Sequence, residues 1–296
     1  MKKSVSLLLA GLMLCGALAG CGGNNDSAES TTNTGTESTG TSGAIHVVSR
    51  EDGSGTRGAF VELTGVEDDN GDNTTVEAEI ANRTDAVLTT VAGNEAAIGY
   101  ISLGSLNETV KAVTVDGVEA TVDNVKSGDY KLSRPFNIAT KGEPTGVAAD
   151  FINFIMSADG QAIVEEEGYI TVNDAAEAFT SDGSSGQIAV GGSSSVSPVM
   201  EKLIEAYKAV NPNAQIELQT SDSTSGMTGA MDGTFAIGMA SRELKDEEAA
   251  ELNGQAIAMD GIAVIVNNAN TVENLAMDQI RSIYVGETTD WADVAA

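Results

Sequence analysis

The sequence predicts an α/β protein of two lobes, and three observations carry that prediction. Short apolar, β-branched runs alternate with helix-period segments along most of the chain, the pattern of strands joined through helices. Glycine is plentiful (33 residues) and proline scarce (4), which suits many tight strand-to-helix turns better than a β-sandwich. A chain of 296 residues is long enough for two moderate cores. With helices between the strands, the sheets are expected to be largely parallel. Aromatic residues are only 4%, so the cores must come from Val, Ile, Leu, Met and Ala.

The chain begins MKKSVSLLLAGLMLCGALAGCGG, in which two lysines precede an apolar run too short to span a bilayer comfortably. Leu18-Ala19-Gly20-Cys21 resembles a bacterial lipobox. Residues 1–20 are therefore expected to be a lipoprotein signal peptide, with Cys21 the lipidation site and the new N-terminus on the extracytoplasmic face of the membrane. Two acyl chains would anchor the protein stably, whereas one would hold it only marginally. Cys15 leaves with the signal, so no internal disulfide is expected. Residues 21–43, rich in Gly, Ser, Thr and Asn, read as a flexible tether. The net charge of −29 excludes nucleic acid as a partner, because no basic stripe is present to neutralise phosphates.

After the tether, IHVV (45–48) reads as a strand and is succeeded by a Gly-rich turn and a helix over 59–63. An acidic, Asn-rich loop is expected at 66–75 and a helix at 85–92. AIGYISL (97–103) reads as a buried strand, and 110–115 as another, closed by the Asp116-Gly117 turn signal. The run 132–140, with Pro135 inside it, reads as extended and crossing rather than central. Residues 147–167 read as one helix, with Phe151, Ile152, Phe154 and Ile155 on one face. Residues 173–186 are a second polar linker, able to stretch to at most ~45 Å. The pattern then restarts with a strand at 187–190, a helix at 198–210 and a strand at 215–219. A helix at 226–231, a strand at 235–239 and a charged helix near 245–252 come next. A long apolar strand (257–266) and a helix over 275–284 complete the series.

Three Ser/Thr-rich loops, 52–57, 192–197 and 221–226, each lie between a strand and a helix. Ligands of open α/β sheets bind beyond the carboxyl ends of strands, where helix N-termini present unpaired N–H groups. Any one such loop could be ordinary capping, since Ser and Thr are good N-caps. Three together suggest one shared anion site, which hydroxyls and amides can build even in an acidic protein. Residues 53–58 also satisfy GxGxxG, but an acidic loop comes next in place of the strand and closing acid that a dinucleotide needs. Asp68, Asn70, Asp72 and Glu79 approximate the spacing of a calcium loop, yet Asn73 stands where its turn glycine belongs, and a solvated loop is the better reading. His46 is the only histidine, so neither a metal cluster nor Ser-His-Asp catalysis has material, and no cofactor is expected. An enzyme that uses a cleft serine is the weakest reading.

The segments SREDGSGTRGAF (49–60), GGSSSVSPVMEKL (191–203), AIGMASRELKDEE (236–248) and MDGIAVIVNNAN (259–270) decide among these readings. Together with AAIGYISLG, KLSRPFNIATKGEP and FINFIMSADGQAIVEEEGYI they resemble the phosphate-binding proteins that serve ABC importers, over nearly all of 44–171 and 187–294. The resemblance implies a type II periplasmic-binding-protein fold, with inorganic phosphate clamped between two lobes joined by crossing strands. It also implies docking of the closed form on the permease subunits of an ABC phosphate importer, and a non-enzymatic monomer. Carried over by position, Arg50, Ser54, Gly55 and Thr56 would bind from one lobe, and Ser194, Ser195, the N–H of Val196 and Ser223 from the other. Ser241 and Arg242 join the expected site at a place where some members carry an acid that accepts the proton of phosphate. Without that acid, sulfate or another tetrahedral oxyanion is the alternative ligand, unless Asp260 or Glu243 supplies the acceptor. A surface sensor without a transport role is the alternative outside import.

The resemblance also implies a changed order of segments. The DGSGTR loop belongs to the second half of such proteins but comes first here, as in a circular permutation. One lobe would then be 44–130 plus 259–296, and the other 131–258, with the join inside 173–186. Ile45 and Val294 would be neighbours in the first lobe, although a domain-swapped dimer is the alternative.

Overall fold

The computed structural model describes residues 41–294. The chain opens with β1 (His46–Arg50), α1 (Gly55–Thr64), a two-residue-armed hairpin of β2 (Glu67–Asp68) and β3 (Gly71–Asp72), β4 (Glu79–Ala81), α2 (Thr84–Gly93) and β5 (Ala97–Ser102). A 3-10 turn at Leu103–Ser105 leads to β6 (Val110–Ala112), β7 (Thr114–Val115), α3 (Val122–Ser127) and β8 (Ser133–Thr140). Next come α4 (Val147–Met156), α5 (Ala158–Glu166), β9 (Gly186–Ser193), α6 (Ser197–Val210), β10 (Ala214–Ser221), α7 (Ser223–Asp232) and β11 (Ile237–Ala240). The last elements are α8 (Asp246–Ala249), β12 (Asn253–Asn267), β13 (Asn274–Leu275), α9 (Met277–Tyr284) and a 3-10 turn at Trp291–Asp293.

One sheet runs in the order β10-β9-β11-β8-β12-β5-β1-β4, with β6 also on β12. Its outer parts are parallel, as the alternating pattern predicts: β1 with β4 and β5, and β9 with β10 and β11. The middle is antiparallel, because β8 and β12 cross between the two halves instead of returning through a helix. The fifteen residues of β12 serve both sides: Asn253 to Gly261 face β8, and Ile262 to Val266 face β5.

The core divides slightly earlier along β12, between Ala258 and Met259. Val47, Phe60, Ile98, Tyr100, Ile262, Val264, Ile283 and Trp291 belong to one buried cluster, on which Ile45 and Met259 pack. Phe136, Phe151, Leu203, Met239, Ile257 and Ala258 belong to another. The start and end of the body lie together: Ile45 N–H donates to the Thr289 carbonyl (2.8 Å), Trp291 N–H donates to the Gly43 carbonyl (3.0 Å), and Val294 is buried in the cluster on which Ile45 packs.

Several elements differ from the sequence expectation for identifiable reasons. β8 is central as well as crossing, and it tolerates Pro135 because β11 pairs only with residues 137–139 and leaves the proline one neighbour. The helix expected over 147–167 is two helices. Ser157 breaks it in extended backbone and caps α5 through the Gly160 N–H. Gly160 sits so close beneath the preceding turn that a Cβ there would lie 2.2 Å from the Phe154 carbonyl oxygen. The loop expected at 66–75 contains the β2–β3 hairpin, while β4 and α3 are additional to the expected elements. The linker at 173–186 runs without a helix or strand up to Gly186 but is fastened: Phe179 packs on Phe154, and Ser181 Oγ and Asp182 N–H both donate to Asp150.

Candidate functional site

The carboxyl ends of β1, β9 and β11 meet where the two halves of the sheet face each other, and the Ser/Thr loops lie there. Ser54 caps α1, its Oγ accepting from the Arg57 N–H at 3.3 Å, so Gly55 and Thr56 form the first turn of that helix. Gly55 must be glycine: a Cβ would fall 2.4 Å from Ser223 Oγ and 2.8 Å from Ser241 Oγ across the cleft. Thr56 Oγ1 is 2.9 Å from Ser195 Oγ. Ser223 begins α7 below an Asp222 cap, and its Oγ accepts from the Ser241 N–H at 3.1 Å. Ser193 Oγ donates to Ser241 Oγ at 2.9 Å. Gly53 O accepts from the Thr224 N–H at 3.1 Å, a further bond between the halves.

Arg50 is 2% exposed and supplies the positive charge. Its backbone N–H and the neighbouring Ser49 hydroxyl both bond to Tyr100 Oη, which Phe60 stacks upon at 3.9 Å. One edge of its guanidinium is bound by Glu51, through Nε at 2.8 Å and Nη2 at 2.7 Å. Nη2 also reaches Ser194 Oγ at 3.1 Å, so the outer edge of the fork faces the hydroxyls of the other lobe. Glu51 balances the charge of Arg50. The helix starts of α1, α2, α6 and α7 add partial positive charge, each equivalent to roughly half an elementary charge.

The structure adds two residues to the predicted set. Thr84 opens α2 and lies 3.3 Å from both Ser194 Oγ and Ser195 Oγ, which brings a fourth helix N-terminus to the cluster. Ser193 is the other, at the end of β9. Thr84 has the same strand–loop–helix setting as the others, but β4 is only three residues long and its signal is weak.

Three of the expected contacts are engaged elsewhere. The N–H of Val196 donates to the Ser193 carbonyl at 3.1 Å, closing the turn before α6. Arg242 is clamped by Glu248, through Nη1 at 2.7 Å and Nη2 at 2.8 Å, and only its stem runs beside Gly55 and Gly58. Burial pushes the Glu248 carboxyl up, but Arg242 and the Lys245 N–H outweigh it and hold the group below its ordinary value. Asp260 is buried against Arg134 (3.0 Å) and Ser102 (2.9 Å), while Glu243 is exposed. Arg57 is bound by Asp52 and Asp72, which accounts for part of the carboxylate cluster that resembled a calcium loop. Among the described residues no group of His, Cys, Asp and Glu could hold a metal ion, and no helix is long and apolar enough to cross a membrane. Cys21 lies outside the described residues.

A family model described as a PBP superfamily domain matches residues 24–159 and 177–296. Phosphate-binding protein PstS 2 of Streptococcus agalactiae serotype V is 50% identical over 301 aligned residues, 99% of this chain and 98% of that protein. The chain belongs to the PBP superfamily and, within it, to the PstS family. Phosphate-binding protein PstS 2 of Streptococcus pneumoniae serotype 4 is 45% identical, covering 98% of each chain. The crystal structure of a phosphate ABC transporter, phosphate-binding protein from Streptococcus pneumoniae TIGR4 superposes with a TM-score of 0.70 at 46% identity, over 86% of this chain and all of that one. The PstS 2 alignments run from end to end, so the order of segments is shared with these relatives.

Proposed function

We propose that this PstS-family protein captures inorganic phosphate outside the cytoplasm and delivers it to the permease of an ABC importer, anchored to the membrane by lipid on Cys21. The observation that carries the reading is the convergence of four helix N-termini, the outer edge of Arg50 and hydroxyls of both lobes on one buried place. Arg50, Ser54, Gly55, Thr56 and Thr84 serve it from one lobe, and Ser193, Ser194, Ser195, Ser223 and Ser241 from the other. Relatives named as phosphate-binding proteins support the choice of anion. A carboxylate acceptor is not required for phosphate, because a serine or threonine hydroxyl accepts a hydrogen bond as readily as it donates one. Among the described residues none of these cleft serines bonds a histidine or carboxylate: His46 bonds Glu79, and both oxygens of Glu51 are held by Arg50, which favours binding without turnover. The joined ends of the body at Ile45 and Thr289 support a permuted order relative to other phosphate-binding proteins, and the two buried clusters support lobes divided near 130/131 and 258/259, with Leu132 and Ile170 packed in the first cluster.

Isothermal titration with phosphate, sulfate and arsenate tests the reading. Tight binding of phosphate and arsenate without sulfate is expected, and preference for sulfate would assign the site to another oxyanion. For the anchor, Cys21→Ser should release the protein from membranes or leave it unprocessed. An unmodified Cys21 in membrane-bound mature protein would refute it.

A further inference from the structure

The strands that cross between the lobes carry a second polar cluster. Arg134 on β8 stands opposite Asp260 on β12, with Nη2 3.0 Å and Nε 3.3 Å from Asp260 Oδ2, and both residues are at most 2% exposed. Ser102 at the end of β5 donates to Asp260 Oδ1. The phenol of Tyr169, 1% exposed, occupies the space over Gly104, where a Cβ would come 2.5 Å from its hydroxyl. Among the described residues three buried side-chain polar atoms have no hydrogen-bond partner, namely Ser105 Oγ, Arg134 Nη1 and Tyr169 Oη. Arg134 and Tyr169 belong to this cluster, and Ser105 follows Gly104 at its edge. An unpaired buried donor is costly and uncommon, so three in one place call for an explanation.

The cluster adjoins the hydroxyl site. Gly104 and Ser105 line a cavity of about 310 Å³ together with Thr84 and Ser194, the two residues that meet beside Arg50. β5 ends alongside β1, which brings Ser102 level with the Arg50 loop. Burial lowers the pKa of Arg134 and Asp260 opposes this, while the charge of Arg50 lowers it further, so the two guanidinium groups lie within electrostatic reach. Burial and the charge of Asp260 hold the Tyr169 phenol neutral against the opposing pull of nearby Ser102 and Arg134, which keeps it a hydrogen-bond donor.

We propose that Arg134 Nη1, Tyr169 Oη and Ser105 Oγ are further ligand donors, which complete the recognition of the tetrahedral anion from the floor of the cleft. Asp260 and Ser102 position Arg134 and balance its charge. The proposal rests on the phosphate reading above. It gives the anion a second guanidinium, while the hydroxyls of the site remain to accept the proton of phosphate.

The test is titration of the purified full chain and its Tyr169→Phe, Ser105→Ala and Arg134→Lys variants with inorganic phosphate, beside thermal melts without phosphate. Parent protein that fails to bind phosphate overturns the function reading itself. If the parent binds, Tyr169→Phe is expected to weaken affinity roughly tenfold, since each deleted bond is one to a charged group. Its melting temperature without phosphate should stay level or rise, because an unsatisfied buried group has been removed. A purely structural role would move the melt and leave the affinity alone. Ser105→Ala should act in the same direction, and Arg134→Lys keeps a cation for Asp260 while deleting Nη1. Folded Tyr169→Phe and Ser105→Ala proteins that both bind phosphate within about twofold of the parent would overturn the proposal while the function reading stands.

Discussion

Gly55→Ala separates folding from closure. Gly55 belongs to the lobe that carries Arg50, whereas the atoms its Cβ would meet, Ser223 Oγ at 2.4 Å and Ser241 Oγ at 2.8 Å, belong to the other lobe. The clash therefore exists only when the lobes are together. Ser223 Oγ cannot simply turn away, because it accepts the Ser241 N–H. Overpacking of this kind costs about 1–3 kcal/mol, which corresponds to a loss in phosphate affinity of roughly fivefold to a hundredfold. Within one lobe the change is benign, since Gly55 has no positive φ and alanine is the better helix former. The melting temperature without phosphate should stay level or rise while affinity falls. Titration calorimetry gives the affinity, and small-angle scattering with and without phosphate shows whether the radius of gyration still shrinks. Parent-like affinity with normal contraction would refute the account of how the lobes meet.

Three other changes probe the remaining interactions. Arg50→Ala should weaken phosphate binding about tenfold to a hundredfold, because it removes the charged donor beside Ser194; unchanged affinity in folded protein would place the site elsewhere. Arg242→Ala strands the buried Glu248 carboxylate and should cost about 3–5 kcal/mol in urea unfolding, while phosphate affinity of the folded protein changes by no more than about threefold. Burial raises the pKa of Asp150, but hydrogen bonds from the Asp182 N–H, Tyr207, Ser181 and Asn211 prevail and lower it. Its folded value thus lies below the unfolded one, so its stabilisation is present above about pH 4 and disappears as pH falls through the folded value. Asp150→Asn should flatten that acid limb in unfolding curves measured from pH 7 to pH 3, and an unchanged limb would assign it to other carboxylates.

Much of this arrangement is readable from residues because local chemistry repeats. Each of the loops at 52–57, 192–197 and 221–226 succeeds a strand and precedes a helix, and all three reach the cleft through Thr56, Ser195 and Ser223. The features that escape such reading depend on distant partners. Nothing near Arg242 in sequence distinguishes a ligand from a guanidinium clamped by Glu248, six residues on. The pairing of Arg134 with Asp260 joins residues 126 apart, and only the register of β8 on β12 reveals it. Thr84 is hidden by the brevity of β4, and the break at Ser157 by the unbroken apolar period on either side of it.

The contacts at Gly43, Ala44 and Ile45 have a mechanical consequence. Ala44 bridges Asp290, Gly43 bonds Asp290 and Trp291, and the indole Nε1 of Trp291 donates to Ala96 beside the first strand. A pull applied at the amino-terminal side of the body would first load this clasp, which the turn at Trp291–Asp293 closes. The cleft lies at the opposite ends of the parallel strands, so the clasp stands between such a force and Arg50 with the hydroxyls around it.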